Sequence, residues 1–246
     1  IFKIVGADFV TITGFTMQEN AANLTTAAGT NNMTEWGVAL LYATSTNGAQ
    51  NCTIQNNTIS LNRVYQNTFG IYSNSTHTAT SVTTLATATT AAGGNSGLKI
   101  YGNAISNVNQ GIAIVGPTAA ADHNDGLEIG GTAPNANTIT NYGTTGTFSG
   151  YANVSATVYG ILVRNTKNYT VSFNSITSSS GASGVTSGTL RGIFVPAASN
   201  QPTGTFTNNI NNNTLAITSH VLAGTINGIS VETTTSSITS TTNINN

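Results

Sequence analysis

The densest group of acid, base and amide side chains in the sequence is Asp122-His123-Asn124-Asp125. Two neighbouring carboxylates supply the oxygen ligands that Ca²⁺ prefers, and glycoside cleavage also uses a pair of carboxyl groups. The competing interpretation is a solvent-exposed turn, because Asp and Asn favour turns and Gly126 follows directly. We predict the turn, and retain Asp122 and Asp125 as candidate metal ligands, with Ca²⁺ as the only candidate cofactor.

Charged residues are scarce in the rest of the chain. They make up 5% of 246 residues, with a net charge of −1, whereas soluble domains usually carry about a quarter. Six scattered cations cannot neutralise a phosphate backbone, and no apolar run approaches bilayer length, so neither nucleic-acid binding nor membrane insertion is expected. The single cysteine, Cys52, is predicted to be a buried structural thiol.

Two short modules alternate strictly along the chain and must position these groups. The first reads aliphatic-x-x-Asn-x-apolar and begins at Ile54, Ile100, Val171 and Ile210, with degenerate copies at Ile12, Ile129 and Ile238. The second reads Gly-[Val/Ile]-x-apolar and begins at Gly37, Gly111, Gly160, Gly192 and Gly228, with a weaker copy at Gly70. Strands this short cannot bury an apolar side alone, whereas equivalent strands stacked turn upon turn can. The sequence therefore predicts an all-β fold, a parallel β-helix of about seven rungs with long loop insertions.

Stacking the first module predicts which side chains share a column. The inward aliphatic column should contain Ile12, Ile54, Ile100, Ile129, Val171, Ile210 and Ile238. The preceding residues, Thr11, Thr53, Lys99, Glu128, Thr170, Asn209 and Ser237, should face solvent, because side chains alternate across a strand. Lys99 and Glu128 should then form an exposed ion pair. In the bend after the strand, Asn tolerates left-handed backbone and can hydrogen-bond to its neighbour in the stack. A structural ladder of Asn57, Asn103, Asn174 and Asn213 is predicted there.

The alternation of Thr-Ile-x-x-Asn-x-Ile with Gly-Ile-x-Val resembles the right-handed parallel β-helix repeat of pectate lyases, polygalacturonases, phage tailspikes and large bacterial surface proteins. The high Thr, Asn, Ala and Gly content is most similar to the giant β-helix surface adhesins of Bacteroidetes. That similarity implies type IX secretion and an extracellular location at the bacterial cell surface. Residues 1–246 are expected to form a single β-helix segment of a longer protein, because neither end carries a polar capping element.

The resemblance covers enzymes as well as fibres, so the function depends on the residues. A polysaccharide lyase of this group would carry several Asp on neighbouring rungs beside Arg or Lys, and Arg164 and Lys167 lie a rung away without partnering acids. We predict a structural or adhesive rod, a stalk or adhesin, that is not an enzyme and has no catalytic residue. The alternatives are a carbohydrate-active lyase or hydrolase with its active site mostly outside this segment, and a tailspike or filament subunit.

A candidate ligand-binding face lies on the outward side of the second module, where the side chains of Tyr72, Leu162 and Phe194 fall. Exposed apolar stripes usually mark a contact or lie beneath a loop. The insertion from Thr76 to Gly94 is well placed to cover this face, and a covered face is our prediction. An uncovered face would bind a surface polysaccharide by ring stacking, or a partner chain in lateral self-association.

Overall fold

The computed structural model describes residues 1–25, 30–63, 65, 67–77, 90–132, 135–143, 157–178, 189–198, 205–218, 225–232 and 240–245. Within them, short strands pair in parallel with the equivalent strands one coil away, so the predicted parallel β-helix is confirmed. The chain passes through three sheets in turn, which we name A, B and C. The described strands make six complete coils, followed by the A and B strands of a seventh.

The strands of sheet A are Phe2–Val5, Trp36–Leu41, Phe69–Ser73, Gln110–Val115, Thr157–Arg164, Thr189–Val195 and Ile226–Val231. Those of sheet B are Thr11–Thr13, Thr53–Gln55, Lys99–Tyr101, Glu128–Gly130, Thr170–Ser172, Phe206–Asn211 and Ser240–Asn245. Those of sheet C are Thr16–Gln18, Thr58–Ser60, Ala104–Val108, Thr138–Tyr142, Ser175–Thr177 and Thr214–Ala216. A separate pair joins Asn124–Asp125 to Thr166–Lys167, and two 3-10 helices span Ala91–Gly93 and Ala120–Asp122. No helix in these ranges is long and apolar enough to cross a membrane.

The first module is two strands rather than one. Ile54 lies in sheet B and Ile59 in sheet C, and the chain bends between them at Asn56 and Asn57. The left-handed backbone falls on the residue before each of the four predicted ladder Asn residues, with φ 55° at Asn56 and φ 61° at Gly102, so the prediction that the ladder Asn residues are themselves left-handed is wrong. The left-handed residue turns the chain, which leaves the following Asn free to direct its amide along the stack.

The inward column is continuous through the interior. Strand register joins Ile12, Ile54, Ile100, Ile129, Val171 and Ile210 as predicted. The seventh member is Ile244, which pairs with Ile210, so the placement of Ile238 in this column is wrong. Asn243 accordingly takes the outward place that Ser237 was expected to fill; Ser237 and Ile238 both lie outside the described residues. The last module therefore starts at Ile244 and not at Ile238.

The glycine of the second module lies near the start of each sheet A strand, where sheet A comes closest to the side chains of sheet C. A Cβ atom on Gly111 would lie 2.8 Å from Cγ2 of Ile139 in sheet C and 2.3 Å from the carbonyl oxygen of Gly160 in the next coil. Gly37, Gly70, Gly160 and Gly192 have equivalent close neighbours, whereas a Cβ on Gly228 would meet nothing within 4 Å. The glycine is needed for space, because the aliphatic side chain of sheet C packs directly over the start of sheet A.

A second apolar cluster covers the outward side of sheet A. Ala39, Tyr72, Ala113, Leu162 and Phe194 lie in register on this face. Tyr72 is fully buried and Leu162 is 7% exposed, whereas Phe194 is half-buried. Tyr72 and Leu162 are therefore inaccessible to a ligand, and of the three candidates only Phe194 is accessible. Residues 78–89 of the predicted cover lie outside the described residues.

Candidate functional sites

A ladder of buried asparagine amides runs along the corner between sheets B and C. The Nδ2 group of Asn57 donates to Oδ1 of Asn103 at 3.0 Å, and Asn103 donates to Asn137 in the same way at 3.0 Å. The links from Asn137 to Asn174 and from Asn174 to Asn213 are both 2.9 Å. Each Nδ2 group also donates to the carbonyl oxygen of the column residue one coil earlier, such as Ile54 for Asn103. The four predicted members are confirmed as an Asn ladder, and Asn137 is a fifth that the module spacing concealed.

The Asp122–Asp125 cluster lies where sheet A passes to sheet B. Asp122 ends a 3-10 helix, and Asn124–Asp125 is a short strand paired with Thr166–Lys167. His123 is 3% exposed and Asn124 is 1% exposed. The predicted solvent-exposed turn is therefore wrong, because parallel pairing with the next coil draws this segment into the structure.

Asp125 has a cationic partner on the neighbouring coil. Its carboxylate lies 3.8 Å from Nζ of Lys167 and accepts a 2.9 Å hydrogen bond from Nδ2 of Asn168. The prediction that Lys167 lacks a partnering acid is wrong. Lys167 competes with any cation for Asp125, and the described part of the chain contains no group of three or more His, Cys, Asp or Glu side chains placed to hold a metal ion. Ca²⁺ binding by Asp122 and Asp125 stays a prediction.

His123 faces a small polar cavity at the same corner. The cavity has a volume of about 60 Å³, and its lining includes His123, Tyr169, Asn208, Glu232 and Thr242. Burial lowers the pKa of His123 to about 4, assisted by the charge of Lys167, while burial raises the pKa of Tyr169 to about 12. Nε2 of His123 has no hydrogen-bond partner. A neutral imidazole and an un-ionised phenol thus line a space large enough for a few water molecules.

A third cluster surrounds His77 on the outer face of sheet A. The imidazole ring meets the rings of Trp36, Tyr72 and Phe69 edge to face, with centroid distances of 4.7, 5.0 and 5.8 Å. Its Nε2 atom lies 2.6 Å from Oε2 of Glu35. Sequence reasoning missed this cluster. The available sign was an aromatic residue immediately before the module glycine in two successive copies, Trp36 and Phe69, which pair in register.

Phe194, the accessible residue of the predicted ligand-binding face, has an intramolecular partner. The guanidinium carbon of Arg191 lies 4.0 Å from the centroid of its ring, and Nη2 of Arg191 lies 3.4 Å from Oε1 of Glu232. A cation over an aromatic face is attracted by the ring quadrupole. A sugar ring that stacks on Phe194 must therefore displace Arg191 or bind beside it.

Comparison of the chain with protein-family models, with curated proteins and with solved structures finds no match. The parallel β-helix is therefore established by the strand pairing alone.

Proposed function

We propose that the chain is a rod segment of an extracellular bacterial surface protein, a stalk or adhesin that displays binding surfaces on its inserted loops. The observation that carries the proposal is the unbroken Asn ladder beside a continuous aliphatic column. Four successive amide links couple five coils, and every link is 2.9 or 3.0 Å long. Such coupling favours a stiff, extendable scaffold, because each coil is held chiefly by its neighbours.

The solvent-facing side of sheet B also suits a long rod. Its outward column contains uncharged residues in register, Thr11 with Thr53 and Thr170 with Asn209. This arrangement avoids like charges directly opposite each other, which destabilise a sheet. The single ion pair in this column, Lys99 with Glu128 at 3.6 Å, joins opposite charges about half exposed to solvent, as predicted. The resemblance of the composition to that of Bacteroidetes surface adhesins favours the same assignment, and type IX secretion is part of the proposal.

Polysaccharide retention and cleavage provide the test. The chain is immobilised and exposed to acidic polysaccharides with and without Ca²⁺, and bound glycan and released oligosaccharides are measured together. A stalk or adhesin retains glycan or ignores it, and releases no products. Catalytic release that is lost in Asp122→Asn and Asp125→Asn variants would replace this proposal with the carbohydrate-active enzyme.

Two further measurements refine the assignment. Phe194→Ser should weaken any glycan retention. Phe9→Ser is the matched control, because Phe9 is 76% exposed but lies in the first coil, several coils away from Phe194. Sedimentation of the purified chain reports lateral self-association. A stable trimer or growing filament would favour the tailspike or filament subunit instead.

A further inference from the structure

In the cluster around His77, three aromatic side chains come from strands of sheet A, and the histidine comes from the segment that follows one of these strands. Trp36 and Phe69 stand at the starts of adjacent strands of sheet A, and Tyr72 lies within the second of these strands. His77 instead lies beyond the end of that strand. The short segment that carries it is tied down by a 2.9 Å hydrogen bond from the Tyr72 hydroxyl group to the carbonyl oxygen of Thr76.

The chemistry of the walls favours a flat cation. Edge-to-face packing places the positive rim of one ring against the negative face of another, and an aromatic face also attracts a cation directly. Glu35 adds a carboxylate whose side chain is 19% exposed, 2.6 Å from an imidazole that is 3% exposed. When the imidazole is protonated, this hydrogen bond is charge-assisted, and such bonds are roughly twice as strong as neutral ones.

We propose that Glu35, Trp36, Phe69 and Tyr72 form a binding site that favours a protonated imidazole, and that the ring of His77 occupies this site as an internal ligand. His77 thereby fastens the start of the Thr76–Gly94 insertion to the outer face of sheet A. An external imidazolium binds the same site once the His77 side chain is removed. This inference is independent of the role of the rod at the cell surface.

Trp36 is the only tryptophan in the chain, so its fluorescence reports directly on the site. The experiment titrates imidazole at pH 6, where it is protonated, into the folded H77A variant and follows Trp36 emission. Saturable quenching is expected in H77A. The wild-type protein, whose site is filled, should show no saturable response. Pyrazole, which has the same shape but stays neutral at this pH, should bind H77A at least about tenfold more weakly, because the charge-assisted bond to Glu35 is missing.

A second variant isolates the carboxylate. In H77A/E35Q, the affinity for imidazole should fall by about tenfold, while the affinity for pyrazole should change little. Equal responses of imidazole and pyrazole, or no saturable response in H77A that retains its β-sheet circular dichroism, would overturn the proposal. If H77A does not fold, H77Q provides the readout: loss of the imidazole ring should raise Trp36 emission above that of wild type, and unchanged emission would also overturn the proposal.

Discussion

Two corners of the same β-helix use asparagine in different ways. At the corner between sheets B and C, the link is two residues long in most coils, and the amides of Asn57 and Asn103 join in one continuous ladder. At the corner between sheets A and B, the link varies from coil to coil. There the main-chain N–H of Asn95 donates to Oδ1 of Asn124 at 2.9 Å, but Nδ2 of Asn124 has no partner.

The difference shows that a completed polar stack depends on the position of the Asn relative to the next strand, and not on residue type or link length alone. Every ladder Asn immediately precedes a strand of sheet C, including Asn137, whose coil has a longer link. Between sheets A and B, Asn124 lies four residues before the sheet B strand of its coil, whereas Asn165 lies five residues before its own. The result is the cavity beside His123, together with buried polar atoms that have no partner. The regular corner therefore supplies rigidity, whereas the irregular corner supplies a histidine, His123, whose pKa is strongly lowered by burial.

Breaking the ladder in its middle should have the largest effect. Asn103→Ala removes the acceptor of the Asn57 amide and the donor to Asn137 and Ile54. Each buried polar group left without a partner costs about 1–3 kcal/mol, so the free energy of unfolding should fall by about 4 kcal/mol. Chemical denaturation provides the measurement. Asn243→Ala removes a similar 3.0 Å amide bond to Asn209 on the outward side and should cost about 0.5 kcal/mol; equal losses would refute a special role of the buried ladder.

The corner between sheets A and B should make the stability of the protein depend on pH, through His123. The pKa of His123 is lowered to about 4 in the fold, against about 6.5 in an unfolded chain, so the unfolded state binds the extra proton first as the pH falls. Stability from this group is complete above pH 6.5 and is lost between pH 6.5 and 4. The loss should reach at most about 3 kcal/mol. The His123→Gln variant cannot titrate at this position, and parallel unfolding curves of the two proteins across this range would contradict the assignment.

The third corner, between sheets C and A, depends on glycine. Gly111→Ala places a methyl group 2.3 Å from the Gly160 carbonyl oxygen and 2.8 Å from Ile139, and overpacking of this kind typically costs about 1–3 kcal/mol. The free energy of unfolding should fall by about 2 kcal/mol. Gly228→Ala is the matched control, since its methyl group would meet nothing within 4 Å. Comparable losses in both variants would contradict the explanation by close approach.

The sequence predicts the parts of the fold where spacing is constant. The aliphatic column from Ile12 to Ile210 and four of the five ladder amides follow from one module of fixed length. Asn137 was missed because its coil has a longer link after Gly130, although its place in the ladder is ordinary. The two-strand nature of the module was also not predicted, although Ile54 and Ile59 are both buried and five positions apart, and so cannot share one face of a single strand.

Contacts across insertions were beyond sequence reasoning. Asp125 and Lys167 lie 42 positions apart and meet because two inserted segments of different length end at the same height. The site around His77 depends on the short segment Thr76–His77, which follows the strand and lies against the outer face of the same sheet, and no periodic pattern encodes that contact. Stacking rules predict neighbours along the axis, whereas the course of a loop depends on packing that only the assembled structure defines.

The outer surface of sheet B should be least sensitive of all. Lys99 and Glu128 are separated by 3.6 Å and are both about half exposed, and such surface pairs contribute about 0–1 kcal/mol. Glu128 also accepts a hydrogen bond from the Tyr101 hydroxyl group, so Lys99→Met is the cleaner probe of the ion pair. We expect a loss of about 0.5 kcal/mol at low salt, which disappears at 1 M salt because exposed charges are screened there. A loss above about 2 kcal/mol that persists at high salt would mean that charge pairing, as well as the amide ladder, fixes the stacking of the coils.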